Sequence, residues 1–192
     1  MAATVVSICN GALSLMGADR ISSITENTEE AVVCNDRYEH VRDSVLQLYP
    51  WNCCIFRRIL SIDVVAPAFV YRYQFVLPTS PRCLTVISVE ETDDWIIENE
   101  HLVTDSDKIS IVYLGRVTDA SKYPPHLAEL ISSRLATEIS YKLVGDVQIQ
   151  QMCTNVYNYK LREAIEIDSK HGGMPRTTDD VYVDTWLRGS RS

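Results

Sequence analysis

Between Asn27 and Cys54 the apolar positions Ala31, Cys34, Tyr38, Val41, Val45 and Leu48 recur at intervals of 3, 4, 3, 4 and 3. Among regular structures, only an α-helix gathers side chains at that spacing onto one stripe. Asn27 fits as the N-cap, Glu30 can close a capping box, and Glu29 and Glu30 meet the positive end of the helix dipole. Pro50 ends the helix after Tyr49, because proline biases its predecessor away from helical geometry. The helix is about 21 residues, roughly 30 Å long. It delivers a large aromatic, Trp51, and a polar Asn52 to a bend directly behind it.

The rest of the chain is arranged around that helix. Ala3 to Met16 reads as a first helix with Val5, Ile8, Cys9, Ala12, Leu13 and Met16 inward and Gly17 as its left-handed stop. Gly11 inside it costs up to about 1 kcal/mol against alanine, which a close helix–helix contact would explain. Ile21 and Ile24 pin the following loop, and the two helices are expected to form an antiparallel hairpin. After Cys54 the period changes. Residues 61–67 read as an extended connector. Tyr71 to Phe75, Cys83 to Glu90, Trp95 to Glu98, His101 to Thr104 and Lys108 to Arg116 read as strands joined by short turns. No helix lies between them, so an antiparallel, half-exposed sheet is expected. Pro124-Pro125 opens a third helix with a stripe of Leu127, Leu130, Ile131, Leu135, Ile139 and Leu143, ended by Gly145. A fourth runs from about Asp146 to Asp168 and buries some of Ile149, Met152, Cys153, Val156, Tyr157, Leu161 and Ala164. Periodicity then stops.

The expected fold class is α+β: two helical hairpins packed as a bundle, an antiparallel β-sheet inserted between them, and an extended C-terminal tail. The boundaries are 1–60 for the N-terminal hairpin, 61–119 for the β insertion, 120–168 for the C-terminal hairpin and 169–192 for the tail. A chain of 192 residues is long enough to fold without staples.

Function is read mostly by exclusion. The net charge of −8 argues against a protein that grips nucleic-acid phosphates, though not against an acidic wall that DNA slides past. No apolar run approaches the ~20 residues needed to cross a bilayer. The N-terminus lacks a basic leader region, so the protein is expected to be made and kept in a cytoplasm. The six cysteines (Cys9, Cys34, Cys53, Cys54, Cys83 and Cys153) are scattered without zinc spacing and read as reduced. His126 and Glu129 share a helix face, but a metal would need ligands from another element. Asp105-Ser106-Asp107 starts like a calcium loop and fails at Ser110 and Arg116. No nucleotide-binding or hydrolase motif is present. No cofactor, metal or catalytic set is expected. Tyr182, Trp186 and Leu187 stand out in a polar tail, where aromatics either fold back or anchor in a partner's pocket.

Several motifs in order resemble the head-to-tail adaptor proteins of short-tailed bacteriophages, the tail tubular protein A-like family. They are Cys9 to Gly17; Ala31, Cys34, Tyr38, Arg42-Asp43 and Leu46; Pro50-Trp51-Asn52; Tyr73, Leu77-Pro78 and Cys83-Leu84; then Tyr113, Arg116 to Asp119 and Tyr123-Pro124. Cys53 departs from the pattern, where an aromatic is usual, and the tail matches loosely. The resemblance implies a structural virion protein, made in the host cytoplasm and placed in the neck. Such proteins form a ring, commonly dodecameric, between the portal protein and the tail nozzle, and double-stranded DNA passes through without specific binding. It further implies a C-terminal segment reaching the portal, with Met174, Tyr182, Trp186, Leu187 and Arg188 as contacts. Tyr38, Pro50, Trp51 and Asn52 then form the structural motif. Two alternatives stay open: a peptidoglycan-degrading virion enzyme using Glu129, Glu138 or Glu163 as its acid, and a non-viral helical interaction module.

Overall fold

A computed structural model describes residues 2–171 of the chain. Helix α1 spans Val5–Met16, capped by a reciprocal Thr4/Ser7 box and stopped by a left-handed Gly17. Helix α2 spans Glu29–Leu48. Its N-cap is Thr28, not Asn27: the Thr28 hydroxyl accepts from the Ala31 amide at 3.3 Å. A β-hydroxyl one residue later serves equally well, and Glu26 holds it by accepting from Thr28 at 3.1 Å. The expected stripe is buried from Ala31 to Val45, but Leu48 at the last turn is exposed and Leu46 takes its place inside. Tyr49 is extended, as Pro50 demands, and Asn52–Cys54 form one 3-10 turn.

Helices α3 (Pro125–Val144) and α4 (Val147–His171) form the C-terminal hairpin around a left-handed Gly145. α3 is the hub: α1, α2 and α4 all pack on it, so even its serines 132, 133 and 140 are buried. At Gly11 α1 lies tight against α3, since a Cβ there would stand 2.8 Å from Ser132 Oγ. Asn10, beside it, is buried and clips the following loop by bonding both the amide and the carbonyl of Ile21 at 2.8 Å. Helix α4 runs three residues past the expected boundary at 168. Lys170 reaches back one turn to Glu166 at 2.8 Å, a small contribution to the last turn of the helix.

The β insertion is two sheets rather than one. Strands β1 (Ile55–Leu60), β6 (Ile109–Gly115) and β3 (Cys83–Val89) form the first, in the order β1-β6-β3. Strands β2 (Tyr73–Val76), β5 (His101–Thr104) and β4 (Trp95–Glu98) form the second, in the order β2-β5-β4. All pairings are antiparallel. The sequence pattern does not predict β1 as a strand, because Arg57-Arg58 breaks its apolar alternation. Backbone pairing to β6 nevertheless runs from Ile55 opposite Leu114 to Leu60 opposite Ile109. The first sheet lies between two cores, so β6 is not half exposed. Its Leu114 belongs to the helical core, while Ile109, Ile111 and Tyr113 pack with Leu60, Phe75 and Leu102 against the second sheet. The β4–β5 hairpin turns at Asn99 and Glu100, both with positive φ, as a two-residue turn requires.

Candidate functional site

The bend behind α2 joins the two ends of the helical unit. Trp51 has no exposed surface, and its indole N–H donates to the Val45 carbonyl at 2.9 Å, capping a free acceptor at the end of α2. Its ring meets Tyr49 edge-on, with centroids 5.0 Å apart, and lies 6.5 Å from the His126 ring on α3. Asn52, next along, grips α4. Its backbone amide and its side-chain amide each donate to the Asp168 carboxylate at 3.0 Å, and the side chain also donates to the Asp168 carbonyl at 2.7 Å. The other carboxylate oxygen of Asp168 is 3.4 Å from His126 Nε2. A buried carboxylate is tolerated only when its lone pairs are met like this. Asp168 is the fourth member of the buried stripe Cys153, Tyr157, Ala164, Asp168 of α4. Cys53 and Cys54 lie beside it with sulfurs 3.6 Å apart. The hydrogen bond between them draws Cys53 below the ordinary thiol range and pushes Cys54 up. All six cysteines are free.

A second cluster gathers more of the motif residues. Asp43 on α2 accepts from Arg42 Nε at 2.8 Å and from Arg116, just beyond β6, at 2.6 Å and 3.1 Å. The Arg42 guanidinium is buried and sits 5.9 Å over the ring of Tyr38. The hydroxyl of Tyr38 and Nη2 of Arg42 are both buried without a hydrogen-bond partner among the described residues. Burial pushes the Tyr38 phenol up to about 12. The Tyr123 hydroxyl donates to the Val117 carbonyl and folds the 117–123 connection onto this cluster. Tyr38, Arg42 and Asp43 of α2 thus share one locus with Arg116 and Tyr123 from far along the chain.

Outside the bend lies an open pocket of about 600 Å³, lined by Pro124, Pro125, His126, Glu129, Glu163 and Ile167. Lys160 bridges two of its lining residues, 2.8 Å from Glu129 and 2.9 Å from Glu163, and those two carboxylates hold its ammonium above the ordinary range. The space between Glu129 and Glu163 is therefore filled by a cation, where a glycosidase keeps it clear for a sugar. Glu138 pairs with Arg134 at 3.0 Å, one turn back on α3. His126 and Glu129, which share a helix face, face different partners: Asp168 and Lys160. Among the described residues no three His, Cys, Asp or Glu side chains converge as a metal site. No described helix is long and apolar enough to cross a membrane.

Of the expected site residues, Tyr38 lies in the cluster around Asp43, and Pro50, Trp51 and Asn52 lie at the bend behind α2. Met174, Tyr182, Trp186, Leu187 and Arg188 lie outside the described residues. Sequence reasoning missed Asp168 and Asn10. Asp168 was legible as a carboxylate placed on a buried stripe, and Asn10 as an amide beside one. Comparison of the chain with models of known families and with curated proteins gave no match. The family resemblance rests on the ordered motifs alone.

Proposed function

We propose that the protein is a structural head-to-tail adaptor of a short-tailed phage. Copies of the chain form a ring, dodecameric by the family pattern, that joins the portal to the tail nozzle and continues the DNA channel. The observation that carries this reading is the Asn52–Asp168 clamp. It ties the Pro-Trp-Asn bend to the last turns of α4 and so gives the C-terminal segment that follows a fixed root on the helical unit. An adaptor needs such a rigid body from which an anchoring segment can leave. Support also comes from the way motif residues of α2 and of the 116–123 segment meet around Asp43. The net charge of −8 suits a wall along which DNA moves without sticking. In this reading Trp186 and Leu187, with Met174, Tyr182 and Arg188, bind the portal.

The test is the mass of the full chain in solution, alone and mixed with a phage portal. A ring that forms on the portal supports the adaptor reading. A stable small oligomer that ignores the portal overturns it. Trp186→Ala is expected to weaken portal binding, and unchanged adaptor–portal assembly would remove the anchoring role.

A further inference from the structure

The connection between β1 and β2 carries an apolar run, Val64-Val65-Ala66-Pro67-Ala68-Phe69-Val70, that the fold leaves uncovered. Val64 is 100% exposed, Phe69 80% and Val70 77%. Ile59 and Ile62, at the root of the loop, are exposed as well. Single exposed apolar residues are ordinary, but a contiguous cluster marks a surface that meets something. The loop is held, not loose. Asp63 accepts from Gln74 at 3.1 Å and pairs with His101 at 3.2 Å. Tyr71 donates to Asp94 at 3.1 Å, and the Arg72 amide donates to Asp105 at 2.9 Å. Val70 has φ of 74°, a costly conformation for a β-branched residue, and its side chain is turned out into water. Beside it Arg72 is exposed and makes no ion pair among the described residues.

At the other end of β1 lies the pocket over Pro124, Pro125 and Ile167. Glu129 and Glu163 there share the single ammonium of Lys160, which leaves one negative charge over. Asn52, bonded to Asp168, marks that end of the strand, and six residues of β1 carry the chain about 20 Å away before the loop begins. Tyr71 and Arg72 pin the loop to the second sheet, so Phe69 cannot turn back into its own pocket. An apolar projection with a cation and an apolar-floored pocket with spare negative charge, at the two ends of β1, make a head-to-tail contact that repeats from copy to copy.

We propose that the 64–70 loop of one copy seats Phe69 on Pro124, Pro125 and Ile167 of the next, with Arg72 facing Glu129 and Glu163. The inference rests on the ring reading and names its subunit contact. The probe is the full chain carrying a benzophenone amino acid in place of Phe69, irradiated alone at high concentration and on the portal. The expected product is a crosslink between copies that maps to residues 124–129 or 163–167. Crosslinks to 172–192 of the same chain, crosslinks to the portal, or none between copies overturn the proposal. A second experiment mixes two variants, Phe69→Asp and Glu129→Arg. Each alone is expected to need at least about tenfold more protein to associate, because each loses one half of every junction. Mixed, they retain one intact junction per pair and should stop at a dimer. A mixture no more associated than its components overturns the contact. Portal binding is scored separately by co-sedimentation. Junctions that form without portal affinity would sink the adaptor reading and leave this contact standing.

Discussion

Trp51 and Asn52 carry the two halves of the bend, and substitution should separate them. Trp51→Ala empties a fully buried site and is expected to cost about 3–5 kcal/mol. Trp51→Phe keeps most of the packing but strands the Val45 carbonyl, for about 1–3 kcal/mol. Asn52→Ala leaves the Asp168 carboxylate buried with fewer donors, again about 1–3 kcal/mol. Urea unfolding of the three variants checks the order, and an Asn52→Ala protein as stable as the parent would remove the clamp from the argument. Tyr38 behaves in the opposite way. Its hydroxyl has no partner among the described residues, so Tyr38→Phe is expected to be neutral or slightly stabilising. The phenol also sets an alkaline limit. Its ordinary pKa is 10.0 and its folded one about 12, so the folded state holds the proton more tightly. That contribution is complete below pH 10.0 and is lost as the pH rises towards about 12. Unfolding followed across that window should be less steep in pH for Tyr38→Phe. The Trp51 bend itself was legible, because Pro50 and a large aromatic announce it. Its partner Asp168 lies 116 residues from Asn52, and no local period links two polar residues across that distance.

At the scale of elements, helices were readable and the sheet division was not. The i, i+3, i+4 rows of α1, α2 and α3 are direct images of their buried faces, and only the terminal Val5, Leu48 and Leu143 do not go fully inside. β1 hid because its two arginines interrupt alternation, and because an outer strand needs backbone pairing more than it needs a buried face. The strand pattern predicts a half-exposed sheet, yet β6 is buried on both faces, since nothing in a single strand tells whether a second sheet will cover it. Gly11 is the case where a local penalty announced a tertiary contact. Gly11→Ala gains about 1 kcal/mol of helix propensity. Its new Cβ would nevertheless stand 2.8 Å from Ser132 Oγ and 3.2 Å from Ser132 Cβ, displacing the hydroxyl that donates to the Ile8 carbonyl at 2.8 Å. The clash should win, with a net loss of about 1–3 kcal/mol. Thermal unfolding decides the sign, and a gain in stability would mean that α1 can move off α3 freely.

Across the whole molecule the two cores are unequal, and that inequality should govern how it opens. The helical core gathers residues from all four helices and from Leu114 of β6, whereas the second core rests on six buried side chains, with only Phe75 and Leu102 coming from the second sheet. Regions with few buried apolar contacts open at lower free energy than the global transition. Amide exchange is therefore expected to be slowest in α3 and β6 and fastest, among the strands, in β4, whose residues are mostly exposed. Phe75→Ala should sharpen the contrast. Removing the ring takes away the main contact of β2 with the first sheet, at about 3–5 kcal/mol. Protection should fall in β2, β4 and β5 while α3 changes little. Equal loss in α3 would show that the cores unfold as one unit and refute the division. The consequence reaches beyond stability, because the exposed 64–70 loop is fastened to the second sheet through Asp63, Tyr71 and Arg72. If copies meet through that loop as proposed, a variant that loosens that sheet while the Asn52–Asp168 clamp stays protected should lose association between copies and keep its helical fold.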